Sequence, residues 1–155
     1  MKALVVFYSR TGNTREVAEA IADELKCDVE EIVDLKDRSG VMGFLLAGRD
    51  VTLGRLADIR PSAKDPSDYD VVIAGTPIWS FTVSSPVRTY LLQNKGKFKK
   101  LAFYCMSDGS GGGRAFKEME RVCGVKLAAT LEMTSREISS GVHKEKIKQF
   151  LKVFT

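Results

Sequence analysis

Three stretches of the chain are apolar without a break at strand length: residues 3–8 (ALVVFY), 71–74 (VVIA) and 101–106 (LAFYCM). Unbroken runs of this kind suit parallel strands covered by helices on both faces. Two more stretches, 27–35 (CDVEEIVDL) and 126–133 (KLAATLEM), alternate only in part, as edge strands do. Between them the apolar spacing becomes helical. Val17, Ala18, Ile21, Ala22 and Leu25 form one stripe behind Asn13 and Glu16, a pair spaced like a capping box. Ser85 ahead of Pro86 marks a helix start, with Val87, Tyr90 and Leu91 facing inward and Gly96 as the end. Phe116, Met119 and Val122 trace a helix that stops at Gly124, and Ile147, Phe150, Leu151 and Phe154 trace the last one.

The order of elements is βαβ, an insertion at 39–50 (SGVMGFLLAGRD), then βαβαβα. It predicts an α/β three-layer sandwich on a five-stranded parallel sheet. With the first, third and fourth strands central, the doubly wound order 2-1-3-4-5 follows. The 155 residues read as one domain, without repeats, low-complexity tracts or a linker, and 57–68 (ADIRPSAKDPSD) as a surface connection.

Composition narrows the classes. Hydrophobic content of 44% and charged content of 28% are those of a globular chain rather than a disordered one. No apolar run approaches the roughly 18–20 residues of a membrane span. The single Lys and short apolar run at the start lead straight into YSRTGNT without a small-residue cleavage pattern, so a cytoplasmic address is expected. Cys27, Cys105 and Cys123 form no CxxC pair, and with His143 as the one histidine they make no plausible metal site. They read as small buried residues in a reducing compartment. Cys105 keeps some redox interest, standing at a strand end before a Gly-rich loop. The net charge is +4, with lysines gathered in 95–100 and 144–152. These read as a solvated turn and an outer helix face. Nucleic-acid binding would need a basic groove with aromatics interleaved, and no such pattern shows.

Ligands of an open parallel sheet bind beyond the carboxyl ends of its strands, at the switch point between the first and third. The segments after the three central strands are SRTGNT (9–14), GTPIWSFTVSSP (75–86) and SDGSGGG (107–113). The first offers side-chain donors from Ser9, Thr11, Asn13 and Thr14 around Gly12, ahead of a helix N-terminus. That is either an anion cradle or an ordinary capped helix start. It lacks the GxxxxGK[ST] of a nucleotide-hydrolysing loop and the three glycines of a dinucleotide fold, so a monophosphate held intact fits better. The second carries Trp79, the single tryptophan, beyond a strand taken to end at Gly75. Exposure is therefore expected there, in a position suited to stacking on a planar ring. The third has almost no side chains. Its backbone can pass close to a flat ligand, or it is simply a flexible turn.

A phosphate, a planar ring and a bare backbone together describe flavin mononucleotide. YSRTGNT, GTPIWSFTVSSPVRTYL and CMSDGSGGG resemble the three flavin loops of the flavodoxin family, in the right order and over nearly the whole chain. The resemblance implies a flavodoxin-like sandwich with FMN as cofactor. Ser9, Arg10, Thr11, Gly12, Asn13 and Thr14 would bind its phosphate. Thr76, Pro77, Ile78, Trp79, Ser80 and Phe81 would line the ribityl chain and ring, and Ser107, Asp108, Gly109, Ser110, Gly111 and Gly112 would meet the pyrimidine edge. It implies a flavodoxin-type electron carrier without catalytic side chains, since the flavin does the redox chemistry. The alternative is a flavodoxin-like NAD(P)H-dependent quinone or FMN reductase. The expected partner is a redox protein or a small-molecule electron donor or acceptor, with no nucleic acid and no membrane.

Departures from the family pattern bear on function. The chain is basic where carrier flavodoxins are acidic. No glycine lies between Thr76 and Pro86 to flip its peptide when the flavin takes up one electron, so the one-electron state is expected to accumulate poorly. No aromatic lies in 107–113, which leaves one ring face open to a substrate. Asp108 would disfavour negative charge on the reduced ring; Arg10 would favour it or point to solvent. The insertion resembles those of flavodoxin-like reductases, as a cover for the flavin or a contact in a homodimer; its plainer alternative is a short buried helix. A receiver-type signalling domain would need an acidic pair after the first strand and an Asp after the third, and residues 8–14 and 75–81 have neither. Trp79 and the phosphate loop argue against a flavin-free interaction domain on the same scaffold.

Overall fold

A computed structural model describes residues 1–36, 40–52, 56–79, 82–109 and 111–155. The strands are β1 (Ala3–Phe7), β2 (Asp28–Glu31), β3 (Val71–Trp79), β4 (Thr82–Val83), β5 (Leu101–Met106) and β6 (Thr130–Met133). The helices are α1 (Asn13–Leu25), α2 (Gly40–Thr52), α3 (Ser85–Gln93), α4 (Gly112–Cys123), α5 (Ser135–Ser140) and α6 (His143–Leu151). The sheet runs β2-β1-β3-β5-β6 with every pair parallel, and β4 folds back antiparallel onto β3. The expected 2-1-3-4-5 order holds, β5 and β6 being the fourth and fifth strands of that count.

Alternate residues of each central strand divide between two cores. Leu4, Val6, Val72, Ala74 and Phe103 pack with Val87, Tyr90 and Leu91 of α3 and Met119 of α4. Val5, Phe7, Ile73 and Tyr104 pack with Val17 and Ile21 of α1 and Ile147 and Phe150 of α6. Covering both faces is what permits the central strands to be apolar throughout.

Five expectations change. The third strand does not stop at Gly75. It continues to Trp79 because β5 still pairs with Thr76 and Pro77 and β4 then supplies a partner, with Ile78 opposite Val83 and Trp79 opposite Thr82. The Asn13–Glu16 pair is not a capping box: Gly12 is the N-cap, at φ 103°, and no side chain caps α1. A capping box does exist at Thr134 and Glu137, opening α5, a helix the apolar pattern passed over because Ile138 alone is buried in it. Helix α3 ends at Gln93, where Asn94 Nδ2 donates to the Tyr90 carbonyl at 2.9 Å, and Gly96 lies in the turn beyond. The insertion forms α2, but Val41, Met42, Phe44 and Leu45 on it are exposed, so it is not a buried helix. The connection 57–68 does run over the surface, pinned by a bridge of Ile59 to Asp34 and by Ala57 N donating to Thr89 Oγ at 2.9 Å.

Candidate functional site at the carboxyl edge of the sheet

After β1, the chain turns through Ser9 to Gly12, whose amide donates to Ser9 Oγ at 3.0 Å. The left-handed backbone of Gly12 suits glycine alone, and open space surrounds the position a side chain would take. Glu16 N donates to the Gly12 carbonyl, but the amides of Asn13, Thr14 and Arg15 have no acceptor among the described residues. An uncapped helix start of this kind presents free N–H groups and the positive dipole end to an anion. The turn is held from below. Arg15 pairs with Glu31 of β2 at 2.6 Å, and Tyr104 donates its buried hydroxyl to the Thr14 carbonyl at 2.7 Å. Arg10 donates to the Gly40 carbonyl at 3.0 Å and stands 5.5 Å from the Phe44 ring centroid, which joins the first loop to α2.

The second loop is a hairpin rather than a free strand end. Thr76 is fully buried; its Oγ contacts Ser84 Oγ at 2.8 Å and accepts from Ser84 N at 3.1 Å, closing the hairpin base. Trp79 is 7% exposed, edge-on to Tyr8 at 5.4 Å between centroids, which corrects the expectation that it lies open for stacking. Its place in β3, paired with Thr82, accounts for the burial. Pro77 and Ile78 are half-buried, and Ser80 and Phe81 lie outside the described residues. Thr82 Oγ is buried with no hydrogen-bond partner among the described residues, a polar atom left over at the mouth of this hairpin.

The third loop leaves β5 with Ser107 N donating to the Met133 carbonyl at 2.9 Å and Ser107 Oγ donating to Glu132 Oε1 at 2.5 Å. Asp108 and Gly109 are exposed, and Ser110 lies outside the described residues. Gly111 caps α4 at φ 96° and ψ −12°, close to the 103° and −15° of Gly12. Again no side chain caps the helix, and the amides of Gly112, Gly113 and Arg114 have no acceptor among the described residues. Thus α1 on one face of the sheet and α4 on the other begin with the same glycine turn and the same open amides, flanking the ends of β1, β3 and β5. The sequence reading missed Glu132. Its signal was a lone carboxylate within an otherwise apolar edge strand.

Cys105 lies within β5, fully buried, and burial with the nearby Glu132 carboxylate pushes its thiol up to about 12. A thiol held protonated offers no redox nucleophile near neutral pH, so the interest in Cys105 lapses. Burial likewise raises Cys27 to about 11 and Cys123 to about 12. Among the described residues no three metal-ligating side chains gather, and no helix is long and apolar enough to cross a membrane.

The residues present fit a ligand with an anionic group and a flat polar edge. The first helix start has unclaimed amides among hydroxyl side chains, the hairpin holds an unpartnered hydroxyl, and the third loop has open backbone around Gly109.

No protein-family model matches the chain. An uncharacterized protein of Archaeoglobus fulgidus is 28% identical over 151 residues, covering 95% of this chain and 97% of its own. Among solved structures, a flavoprotein in complex with FMN from Lactobacillus acidophilus NCFM superposes with a TM-score of 0.75 at 22% identity, covering 90% of this chain and 97% of that one. Oxidised flavodoxin 2 from Bacillus cereus gives 0.63 at 16% identity, covering 99% and 97%. The sheet order, the helices on both faces and these superpositions agree: the chain has the flavodoxin-like fold.

Proposed function

We propose that the protein binds FMN at the carboxyl edge of β1, β3 and β5 and transfers electrons through it as a flavodoxin-type carrier. The observation that carries this reading is the matched pair of uncapped, glycine-turned helix starts facing one sheet edge. One lies among hydroxyl and amide side chains, the other in a loop nearly free of side chains. The L. acidophilus protein of the same fold, in complex with FMN, supports it.

When bound, the flavin supplies the redox chemistry, and the chain's residues hold and shape its surroundings. The amides of Asn13, Thr14 and Arg15, with the side chains of Ser9, Thr11 and Asn13, would hold the phosphate. The buried Tyr104 hydroxyl and the Arg15–Glu31 pair keep that turn in place. Pro77 and Ile78 would border the ring, on a hairpin braced from behind by Trp79 against Tyr8. The loop from Ser107 to Gly112 would offer backbone amides to the ring's polar edge, with Asp108 disfavouring negative charge there. The three free thiols accord with a cytoplasmic setting.

One observation favours a reductase as the second reading. The described third-loop residues include no aromatic, and α2, joined to the first loop by Arg10, exposes Val41 and Phe44, at 77% and 64%. A small apolar acceptor could approach the flavin there.

The test is anaerobic titration of apoprotein with FMN, followed by visible absorbance and flavin fluorescence. Saturable binding with a yellow complex is expected; a colourless protein with no saturable binding overturns the proposal. NADPH or NADH is then added without a reductase. Persistent colour supports the carrier, and rapid bleaching supports the reductase.

A further inference from the structure

Glu132 belongs to the edge strand β6, yet its carboxylate reaches the loop that follows the neighbouring strand. Oε1 accepts from Ser107 Oγ at 2.5 Å, and Ser107 Oγ lies 3.4 Å from Gly109 N as its acceptor. Oε2 and the carboxyl carbon fill the space where a side chain on Gly112 would stand. The carboxylate therefore touches both ends of the third loop and sits at the open start of α4, where amides and dipole favour an anion. Its own backbone is anchored, since Lys146 Nζ donates to the Glu132 carbonyl at 2.8 Å and to Glu137 Oε1 at 2.9 Å.

Gly112 shows what this arrangement demands of the sequence. Gly109 and Gly111 have positive φ and need glycine for their backbone, but Gly112 does not. It must be small because the Glu132 carboxylate occupies its side-chain space.

We propose that Glu132 is a positioning residue for ligand binding: it ties Ser107, and through it Gly109, to Gly112 in the arrangement that receives the polar edge of the ligand's ring. The inference rests on the FMN reading for its ligand and on the apoprotein for its geometry. Losing a hydrogen bond to a charged group corresponds to roughly tenfold in an equilibrium. Glu132→Ala is therefore expected to raise amide exchange at Ser107 and Gly109, the loop amides that have acceptors, by about tenfold in the apoprotein, and the FMN dissociation constant by the same factor. Glu132→Gln keeps a carbonyl that accepts from Ser107 and restores both to within about threefold of the wild type. Gly112→Ala pushes the carboxylate aside and reproduces Glu132→Ala, with the double variant no worse than either single one.

Wild-type exchange and affinity in Glu132→Ala would overturn the inference, as would a Gln variant that fares no better than Ala. If the wild type itself takes no FMN, the functional reading fails, while exchange in the apoprotein still decides the role of Glu132.

Discussion

At Gly75 the sheet has no side chain, and the ring of Tyr104 from the neighbouring strand occupies that gap. The ring is completely enclosed, and burial raises its phenol well above the ordinary value, so it remains a donor to the Thr14 carbonyl. One hydroxyl thus ties β5 to the first turn of α1. Tyr104→Phe is expected to cost about 1 kcal/mol, the usual net loss of a buried hydrogen bond. Gly75→Ala forces the ring out of its slot and costs about 3 kcal/mol, at the upper end of overpacking effects. Urea denaturation of the two variants checks the order, and a Gly75→Ala protein as stable as the wild type refutes the account. In the sequence Gly75 reads only as a strand end. A tyrosine inside LAFYCM reads as core, and nothing local pairs it with a glycine on another strand.

At the scale of elements, apolar periodicity and capping signatures failed in opposite directions. Partial alternation placed β2 and β6 at the edges because edge strands have one solvated side. The pattern lost β3 after Gly75, since Gly-Thr-Pro interrupts the apolar run and only pairing with Cys105 and Met106 on one side, then with Thr82 and Val83, reveals the continuation. The spacing of a capping box misled at Asn13 and Glu16, where the left-handed Gly12 takes the cap position, and was overlooked at Thr134 and Glu137. At the latter site Lys146 first, then the Thr134 amide, hold the Glu137 carboxyl below its ordinary range. A depressed carboxyl value contributes stability that is present above the unfolded value and is lost as pH falls through the folded one. Glu137→Gln should therefore lower stability at neutral pH and flatten its acid decline, and Thr134→Ala should cost about 1 kcal/mol. Urea midpoints measured from neutral to acid pH test both, and an unchanged acid limb in Glu137→Gln contradicts the linkage.

For the whole molecule, the doubly wound order was legible because every central strand is apolar on both faces. The place of the site followed from that topology, whereas the support beneath its loops did not, being made by residues far apart in sequence. Net charge belongs to this scale as well. At +4 the proposed electron carrier should react faster with acidic partner proteins than with basic ones, and the difference should fade as salt is added. Stopped-flow rates at low and high ionic strength check this; equal rates for both partner types at low salt refute it.

The bond from Tyr104 to Thr14 joins positions 90 residues apart, and β5 supplies both that hydroxyl and the third loop. While the ribosome is still making the first hundred residues, β3 has its neighbour β1 but no second one. The slot beside Gly75 is empty, and the turn at Gly12 has the Arg15–Glu31 pair but not the Tyr104 hydroxyl. On the FMN proposal, the site is complete only once the third loop and the start of α4 have been made.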